Sequence, residues 1–182
     1  YIITGTDANA CTGTTNITLS TPNAPVVTIS NIANVTCNGL CNGTAQASAT
    51  GGTPAYTFSI TAPGVINPAT GAISALCAGS YTVTVSDVNT CIGTTSFVIT
   101  EPPLLTVSIN AVTAVSCVPG CDGTATTTTA GGVAAYSYAI SGGAVINAAG
   151  TASNLCAGIT YTITVTDANL CTAQTTVLLV AP

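Results

Sequence analysis

The sequence predicts an all-β chain of tandem β-sandwich repeats, and three observations lead there. Apolar and polar residues alternate with period two, and no stretch sustains a 3.6-residue apolar period. Turn signals rich in Gly and Asn interrupt the alternation at short intervals. The whole pattern also returns every 80 residues: Asp7, Asp87 and Asp167 share that spacing, as do Cys11, Cys91 and Cys171. Cys37 and Cys41 return as Cys117 and Cys121, Gly51-Gly52 as Gly131-Gly132, Tyr56 as Tyr136, and Tyr81 as Tyr161. Fixed periodicity marks a modular array, in which function belongs to the assembly more than to a pocket.

The period sets the expected organisation. Residues 23–102 and 103–182 are two complete units. Residues 1–22 match 81–102 and so read as the C-terminal strands, F and G, of a preceding repeat. Two explanations fit: the chain is a window on a longer polymer, or the N-terminal hairpin completes a neighbouring subunit by strand addition.

Within 23–102 the elements follow in order. Strand A lies near 26–30, with room to continue to about 36. Strand B covers about 44–50 and offers Ala45, Ala47 and Ala49 to one face. Strand C covers about 56–60, a short strand follows near 64–66, and E lies near 72–76. Strand F, 81–87, is the clearest: Tyr81, Val83 and Val85 share one face, and Thr82, Thr84 and Ser86 the other. Strand G covers about 94–100. Asn38-Gly39, Asn42-Gly43, Gly51-Gly52, Pro63-Gly64, Ala78-Gly79 and Val88-Asn89 supply the turns. Seven short strands in one unit predict an immunoglobulin-like sandwich of the fibronectin III or PKD kind. Leu76-Cys-Ala-Gly-Ser-Tyr81 resembles the E–F corner of fibronectin type III modules, where a Tyr opens strand F. The second unit has Leu155-Cys-Ala-Gly-Ile-Thr-Tyr161, one residue longer, and a compensating deletion must lie between Tyr138 and Cys156.

The joints are proline-bearing: Glu101-Pro102-Pro103 between the units, with Thr21-Pro22 and Ala181-Pro182 in equivalent places. Proline stops a strand and stiffens a linker, so the expectation is an extended string of beads.

The chain has no Lys, Arg or His, and its acidic residues are Asp7, Asp87, Glu101, Asp122 and Asp167, for a net charge of −5. Nothing can neutralise phosphates, which excludes nucleic acid, and no polybasic segment can hold a membrane surface. No run approaches the ~18 apolar residues of a membrane span. Thr, Ser, Asn and Gly must hydrate the surface, which is poorly protected against association. That predicts either attached glycans or self-association into a fibre.

Nine Cys imply an oxidising compartment. Each unit holds four, Cys37, Cys41, Cys77 and Cys91, then Cys117, Cys121, Cys156 and Cys171. Cys11 is left over, and its expected partner lies upstream of Tyr1. The core is thin, with Tyr56, Phe58, Tyr81, Phe97 and Ile99 supplying most of its bulk, so two disulfides per unit are expected to stabilise it. Four Cys allow three connectivities, and spacing alone leaves them open. Cys37-x₃-Cys41 fits a zinc spacing loosely, but the other two Cys are distant and no His is present. A catalytic thiolate would need a base or cationic neighbour that this chain lacks. No cofactor, metal or enzymatic activity is expected.

Asp7, Asp87 and Asp167 each end strand F before a turn. One Asp per unit is too few for a calcium site, which favours an Asx turn; Asp122-Gly123 reads as a turn in the same way. Asn16-Ile-Thr18, Asn34-Val-Thr36 and Asn42-Gly-Thr44 are N-glycosylation triplets, of a kind that also arises by chance in a Thr-rich chain. Thr126 and Thr128, in the run 126–129, are candidates for O-linked sugar. Tyr56, Phe58, Tyr136 and Tyr138 could form a carbohydrate-binding strip, but i, i+2 spacing on a strand favours core.

With these motifs set out, the chain resembles the SprB-type repeats of large Bacteroidota surface proteins. The resemblance rests on Cys37-Asn-Gly-Leu-Cys-Asn-Gly-Thr44, Gly51-Gly-Thr-Pro-Ala-Tyr-Thr-Phe58, Leu76-Cys-Ala-Gly79 and Tyr81-Thr-Val-Thr-Val-Ser-Asp-Val-Asn-Thr-Cys91. The second unit matches through Cys117 to Gly123, Gly131-Gly132, Leu155 to Gly158 and Tyr161 to Cys171. Ile60 and Ile140 stand where family members often carry Trp. The resemblance implies an extracellular adhesin or filament, exported by type IX secretion and sometimes linked to gliding. It also implies a pairing, Cys37–Cys91 with Cys41–Cys77, and by analogy Cys117–Cys171 with Cys121–Cys156. The expected function is thus a structural module of a long extracellular repeat protein forming a surface fibre, stalk or filament. The alternative is an adhesin module that recognises glycans or surfaces through its loops.

Overall fold

The computed structural model describes residues 1–61, 63–117 and 120–180, and the Ala181-Pro182 joint lies outside them. The chain is all-β, with two tandem immunoglobulin-like sandwiches preceded by a hairpin. The hairpin pairs β1 (Ile2–Thr6) with β2 (Thr12–Asn16), both exposed throughout.

The first sandwich contains β3 (Val26–Ala33), β4 (Gly43–Thr50), β5 (Thr57–Ile60), β6 (Val65–Ile66), β7 (Ala72–Leu76), β8 (Gly79–Ser86) and β9 (Ile92–Ile99). One sheet has the order β3-β4-β7-β6 and the other β5-β8-β9. In letters these are ABED and CFG, the seven-strand immunoglobulin arrangement. The second sandwich repeats it with β10 (Thr106–Thr113), β11 (Gly123–Ala130), β12 (Ser137–Ile140), β13 (Val145–Ile146), β14 (Thr151–Leu155), β15 (Thr160–Thr166) and β16 (Thr172–Leu178). Its sheets are β10-β11-β14-β13 and β12-β15-β16.

Period-two burial builds both cores. Tyr81, Val83 and Val85 of β8 are buried, and Thr82, Thr84 and Ser86 are half-buried on the opposite face. Ala45 and Ala47 of β4 face them across the sandwich, joined by Val27, Phe58, Ile73, Leu76, Phe97 and Ile99. Tyr81 and Phe97 stack with ring centroids 5.7 Å apart. The second core is leaner: Val177 replaces Phe97 and Tyr138 replaces Phe58, and the Tyr138 hydroxyl meets Thr129 Oγ1 at 2.9 Å.

Strand A is bulged. The β3–β4 register slips between Ser30 and Ala33, around Asn31 at φ 51°. Beyond the bulge the Val35 N–H donates to Thr100 O, so the end of A leans toward strand G of the opposite sheet. The missing residue of the second unit falls in the β13–β14 turn, where Asn147 to Gly150 replaces Asn67 to Gly71. The extra residue enters the E–F corner as Ile159-Thr160. There the Tyr81 hydroxyl accepts the Cys77 N–H at 3.0 Å, and Tyr161 accepts the Cys156 N–H at 2.9 Å despite the longer loop. This is the tyrosine corner of the sandwich fold.

Candidate functional site

The two ends of a sandwich differ in chemistry. At one end lie the F–G turn, with its Asp and Cys, and the B–C turn. Asp87 Oδ1 accepts the N–H groups of Asn89 and Cys91, both at 2.9 Å, and its Oδ2 accepts the Thr53 N–H at 2.9 Å. Asp167 does the same with Asn169, Cys171 and Val133 at 2.9, 2.9 and 2.8 Å. One carboxylate therefore closes its own turn and clamps the neighbouring one. Gly52 and Gly132 make this possible: their φ values are +61° and +62°, and a Cβ would fall 2.9 and 2.7 Å from the aspartate Oδ2. The phenols of Tyr56 and Tyr136 donate to Gly51 O and Gly131 O, so these half-buried rings brace the same turn.

The electrostatics follow. The Thr53 N–H is the strongest influence on Asp87 and lowers its pKa; burial opposes it, and the Cys91 and Asn89 N–H groups reinforce it. For Asp167 burial is the largest single influence and pushes upward, but the Val133, Cys171 and Asn169 N–H groups together outweigh it, and the pKa is again lowered. Among the described residues the Asp7 carboxylate accepts only within its own turn, from the N–H groups of Asn9 and Cys11. Among the described residues no three His, Cys, Asp or Glu side chains gather to hold a metal ion.

At the other end lie the A–B loop and the E–F corner. Cys41 is bonded to Cys77 and Cys121 to Cys156, each tying these two loops together. Asn42 Oδ1 accepts the Thr36 N–H at 3.1 Å. Asp122 occupies the same place in the second unit, accepting the Ser116 N–H at 3.0 Å and its hydroxyl at 2.6 Å. The Ser116 hydroxyl, then its N–H, hold the Asp122 pKa low.

Cys37 corrects an expectation. Its partner is Cys171 of the second unit and not Cys91, with Cα atoms 5.7 Å apart. The Cys117–Cys171 pairing fails with it, and Cys11, Cys91 and Cys117 are unbonded. The reason is strand length. Cys37 sits beside the Cys41–Cys77 bridge, where β8 begins, whereas Cys91 follows the turn where β8 ends. Eight residues of strand separate those ends, roughly 26 Å at ~3.3 Å per residue, against the 4.4–6.8 Å that a disulfide spans.

The Cys37–Cys171 bond instead joins the A–B end of the first sandwich to the F–G end of the second. Asn169 Nδ2 donates to Thr36 O at 2.8 Å across the same junction. Glu101 Oε2 accepts the Gly39 N–H at 2.7 Å, Asn38 Nδ2 donates to Pro102 O at 3.1 Å, and the Gly132 N–H donates to Pro103 O at 2.8 Å. The linker is thus bound to both sandwiches. A cleft of about 290 Å³ lies here, lined in part by Leu40, Leu104 and Leu170.

The glycosylation candidates are scattered. Asn16, Asn34 and Asn42 are exposed. Asn34 Oδ1 accepts the Thr100 N–H, and Asn42 Nδ2 already donates to Thr36 Oγ1 at 2.7 Å. Thr128 is exposed and Thr126 half-buried. Phe58 is buried and Tyr138 packs against the second core, so no aromatic strip faces solvent on strand C.

Sequence reasoning missed the junction residues Thr36, Gly39, Glu101 and Asn169. The signal that could have found them was the length of strand F, which already separates Cys37 from Cys91.

The SprB repeat family matches the chain at residues 29–65 and again at 109–145, segments that hold the A–B loop and the B–C turn of each sandwich, while the E–F corners and F–G turns lie outside them. These two segments are SprB repeats. Each SprB match runs from strand A through the Cys-x₃-Cys loop and the Gly-Gly turn to the short strand D. No curated protein matches the chain. Among solved structures, the chain is similar to domains 4 and 5 of the S-layer protein SbsC, at 18% identity and TM-score 0.37, over 89% of this chain and 100% of that one. It is similar to the C-terminal 282-residue fragment of intimin, solved with the intimin-binding domain of the translocated intimin receptor, at 16% identity and TM-score 0.42, over 83% and 64%. It is also similar to PcdhgB3 EC1-4, at 10% identity and TM-score 0.43, over 98% and 63%. The chain thus spans just under two thirds of the second and third of these.

Proposed function

We propose that this chain is a structural module of a long extracellular repeat protein that builds a surface fibre, with residues 23–102 and 103–182 as its units and residues 1–22 as the F–G hairpin of a preceding one. The observation that carries this reading is the junction. Two copies of one sandwich meet end to end through a proline linker hydrogen-bonded to both, and a disulfide crosses between them. Such a joint fixes the relation of successive beads and suits a stalk better than a binding pocket. The disulfides fit an extracellular location, with type IX secretion as the export route that the SprB repeats suggest. Among the described residues no three His, Cys, Asp or Glu side chains gather, and the sequence has no His or Lys, which supports reading the module's part as structural. The Thr- and Ala-rich faces are the surfaces through which neighbouring fibres associate, with glycans on exposed Asn or Thr as the other means of keeping them soluble.

Electron microscopy of the native material tests this. Beaded filaments with an axial repeat of about 35–45 Å per sandwich are expected, from strands of eight or nine residues at ~3.3 Å each plus a joint. Isolated monomers, or filaments with an unrelated period, would count against it.

A further inference from the structure

Three hairpins carry the same Asp-x₃-Cys turn, and it presents the cysteine in the same way each time. Asp Oδ1 accepts the Cys N–H at 2.9 Å in Asp7–Cys11, Asp87–Cys91 and Asp167–Cys171 alike. The residue before each Cys has a positive φ: 66° at Ala10, 64° at Thr90 and 66° at Leu170. Of these three cysteines, Cys171 alone is bonded, and it is bonded to Cys37.

The receiving loop is also duplicated. Cys37 O accepts the Leu40 N–H at 3.1 Å, and Cys117 O accepts the Gly120 N–H at 2.6 Å. The preceding N–H is held by Asn42 in one loop and Asp122 in the other, and an E–F bridge lies beside each. Cys117 therefore shares these bonds with Cys37, and Cys91 the turn of Cys171, although Val118 and Pro119 stand in the sequence where Asn38 and Gly39 bond the linker. Cys91 and Cys117 lie at the two outer ends of the sandwich pair.

The numbering agrees. Cys37 and Cys171 are 134 residues apart. The same step forward from Cys117, or back from Cys91 or Cys11, leaves the 182 residues of this chain. None of the three unbonded cysteines has another cysteine at that spacing within residues 1–182.

We infer that Cys91 and Cys117 are the open halves of the joint that Cys37 and Cys171 close, each forming a disulfide with the complementary cysteine of a further repeat unit of this kind. The contact is heterologous, one end against the other, and so propagates as an open line and not a closed ring. The chemistry balances with a low-molecular-weight disulfide such as oxidised glutathione. One cysteine thiolate attacks it and releases one glutathione thiolate. The second cysteine thiolate then attacks the protein sulfur of the mixed disulfide and releases the other. Two protein thiols become one S–S bond, and the small disulfide takes the two electrons and two protons as two thiols. The outer ends carry Thr90 and Gly120 where the closed joint has Leu170 and Leu40, so apolar packing there is weaker and the sulfur bond holds a larger share of the contact. The inference deepens the fibre reading and rests on it for the supply of successive units.

The test uses the full chain with Cys11→Ala, leaving Cys91 and Cys117 as the free thiols. Equal amounts of unlabelled and ¹⁵N-labelled chains are oxidised together with oxidised glutathione. The expected result is a reductant-sensitive ladder of oligomers. Unreduced digests should join the Cys91 peptide of one isotope to the Cys117 peptide of the other, while Cys37–Cys171 stays within one chain and reports that the joint is folded. Adding Cys91→Ser or Cys117→Ser alone should leave monomers, and mixing the two variants should end at the dimer. Only Cys91–Cys91 and Cys117–Cys117 products would overturn the inference. Chains that stack at the unit spacing with both thiols still free would overturn it and leave the fibre reading standing; chains that form neither stack nor ladder would sink both.

Discussion

Asp87 accepts the Thr53 N–H with one carboxylate oxygen while its other oxygen closes the turn that ends in Cys91. A single side chain thus locks two turns that are 34 residues apart in sequence. Asp7 has the turn but not the second clamp. The pair of situations within one chain makes a direct comparison available.

Asp87→Ala and Asp167→Ala should each lower the thermal midpoint of their own sandwich, because three N–H donors lose their acceptor. Asp7→Ala should leave both midpoints in place. The pH dependence has a defined sign. Both folded pKa values lie below the ordinary 3.8, so the stabilisation is full above that value and disappears as pH falls through the folded pKa. Melting temperatures should be flat from neutral pH to about 5 and drop below about 4. Equal losses in all three variants would show that the second clamp adds nothing.

Calcium should not raise the melting temperature. The Asp87 and Asp167 oxygens already accept backbone N–H groups, and a calcium site wants six or more oxygens, usually with more than one carboxylate. Melting with chelator and then with millimolar Ca²⁺ checks this. A rise of more than a few degrees would mean that the turns open to bind the ion.

Tyr81→Phe keeps the ring against Phe97 and deletes only the hydroxyl that the Cys77 N–H needs. A loss of about 1 kcal/mol is expected in denaturant unfolding, because a half-buried donor loses its partner. Tyr161→Phe should behave alike at Cys156. A neutral result would show that water replaces the hydroxyl at the corner.

Cys41→Ala with Cys77→Ala removes a bridge that closes a sequence separation of 36. The expected destabilisation of the first sandwich is about 2–5 kcal/mol, acting largely through the unfolded chain. An unchanged denaturant midpoint would show that the Ala-rich core is sufficient alone.

Cys171→Ala should free Cys37 for alkylation and loosen the junction without unfolding either sandwich. Small-angle scattering should show a broader spread of inter-unit distances, while each sandwich melts within ~0.5 kcal/mol of its original stability, as for a surface change. A scattering profile identical to the parent's would mean that the linker hydrogen bonds fix the joint unaided.

Much of this architecture was legible in the sequence because its signals are local. Alternation placed Tyr81, Val83 and Val85 inward, Gly-Gly and Asn-Gly marked the turns, and Tyr81 marked the corner. The strand A bulge at Asn31 gave no such signal, since nothing in Ser30-Asn-Ile-Ala33 distinguishes a slipped register from a straight one. The junction was hidden for a different reason. Cysteine pairing depends on which loops share an end of the sandwich, and that is a property of topology and not of spacing. The resemblance joined Cys37 to Cys91 within one unit, where strand F holds them apart; the structure joins Cys37 to the next unit's turn.

The Cys37–Cys171 bond also changes how the molecule would respond to being pulled. Tension entering before Cys37 and leaving after Cys171 passes through sulfur and skips the backbone between them, a sequence separation of 134. At ~3.4 Å per extended residue this withholds roughly 450 Å of contour length, even if both sandwiches unfold. In single-molecule stretching the oxidised chain should extend only through the residues before Cys37 and after Cys171, and addition of reductant should release the hidden length. A surface thread built of such units would act as a tether of set reach in oxidising surroundings and as an extensible spring in reducing ones.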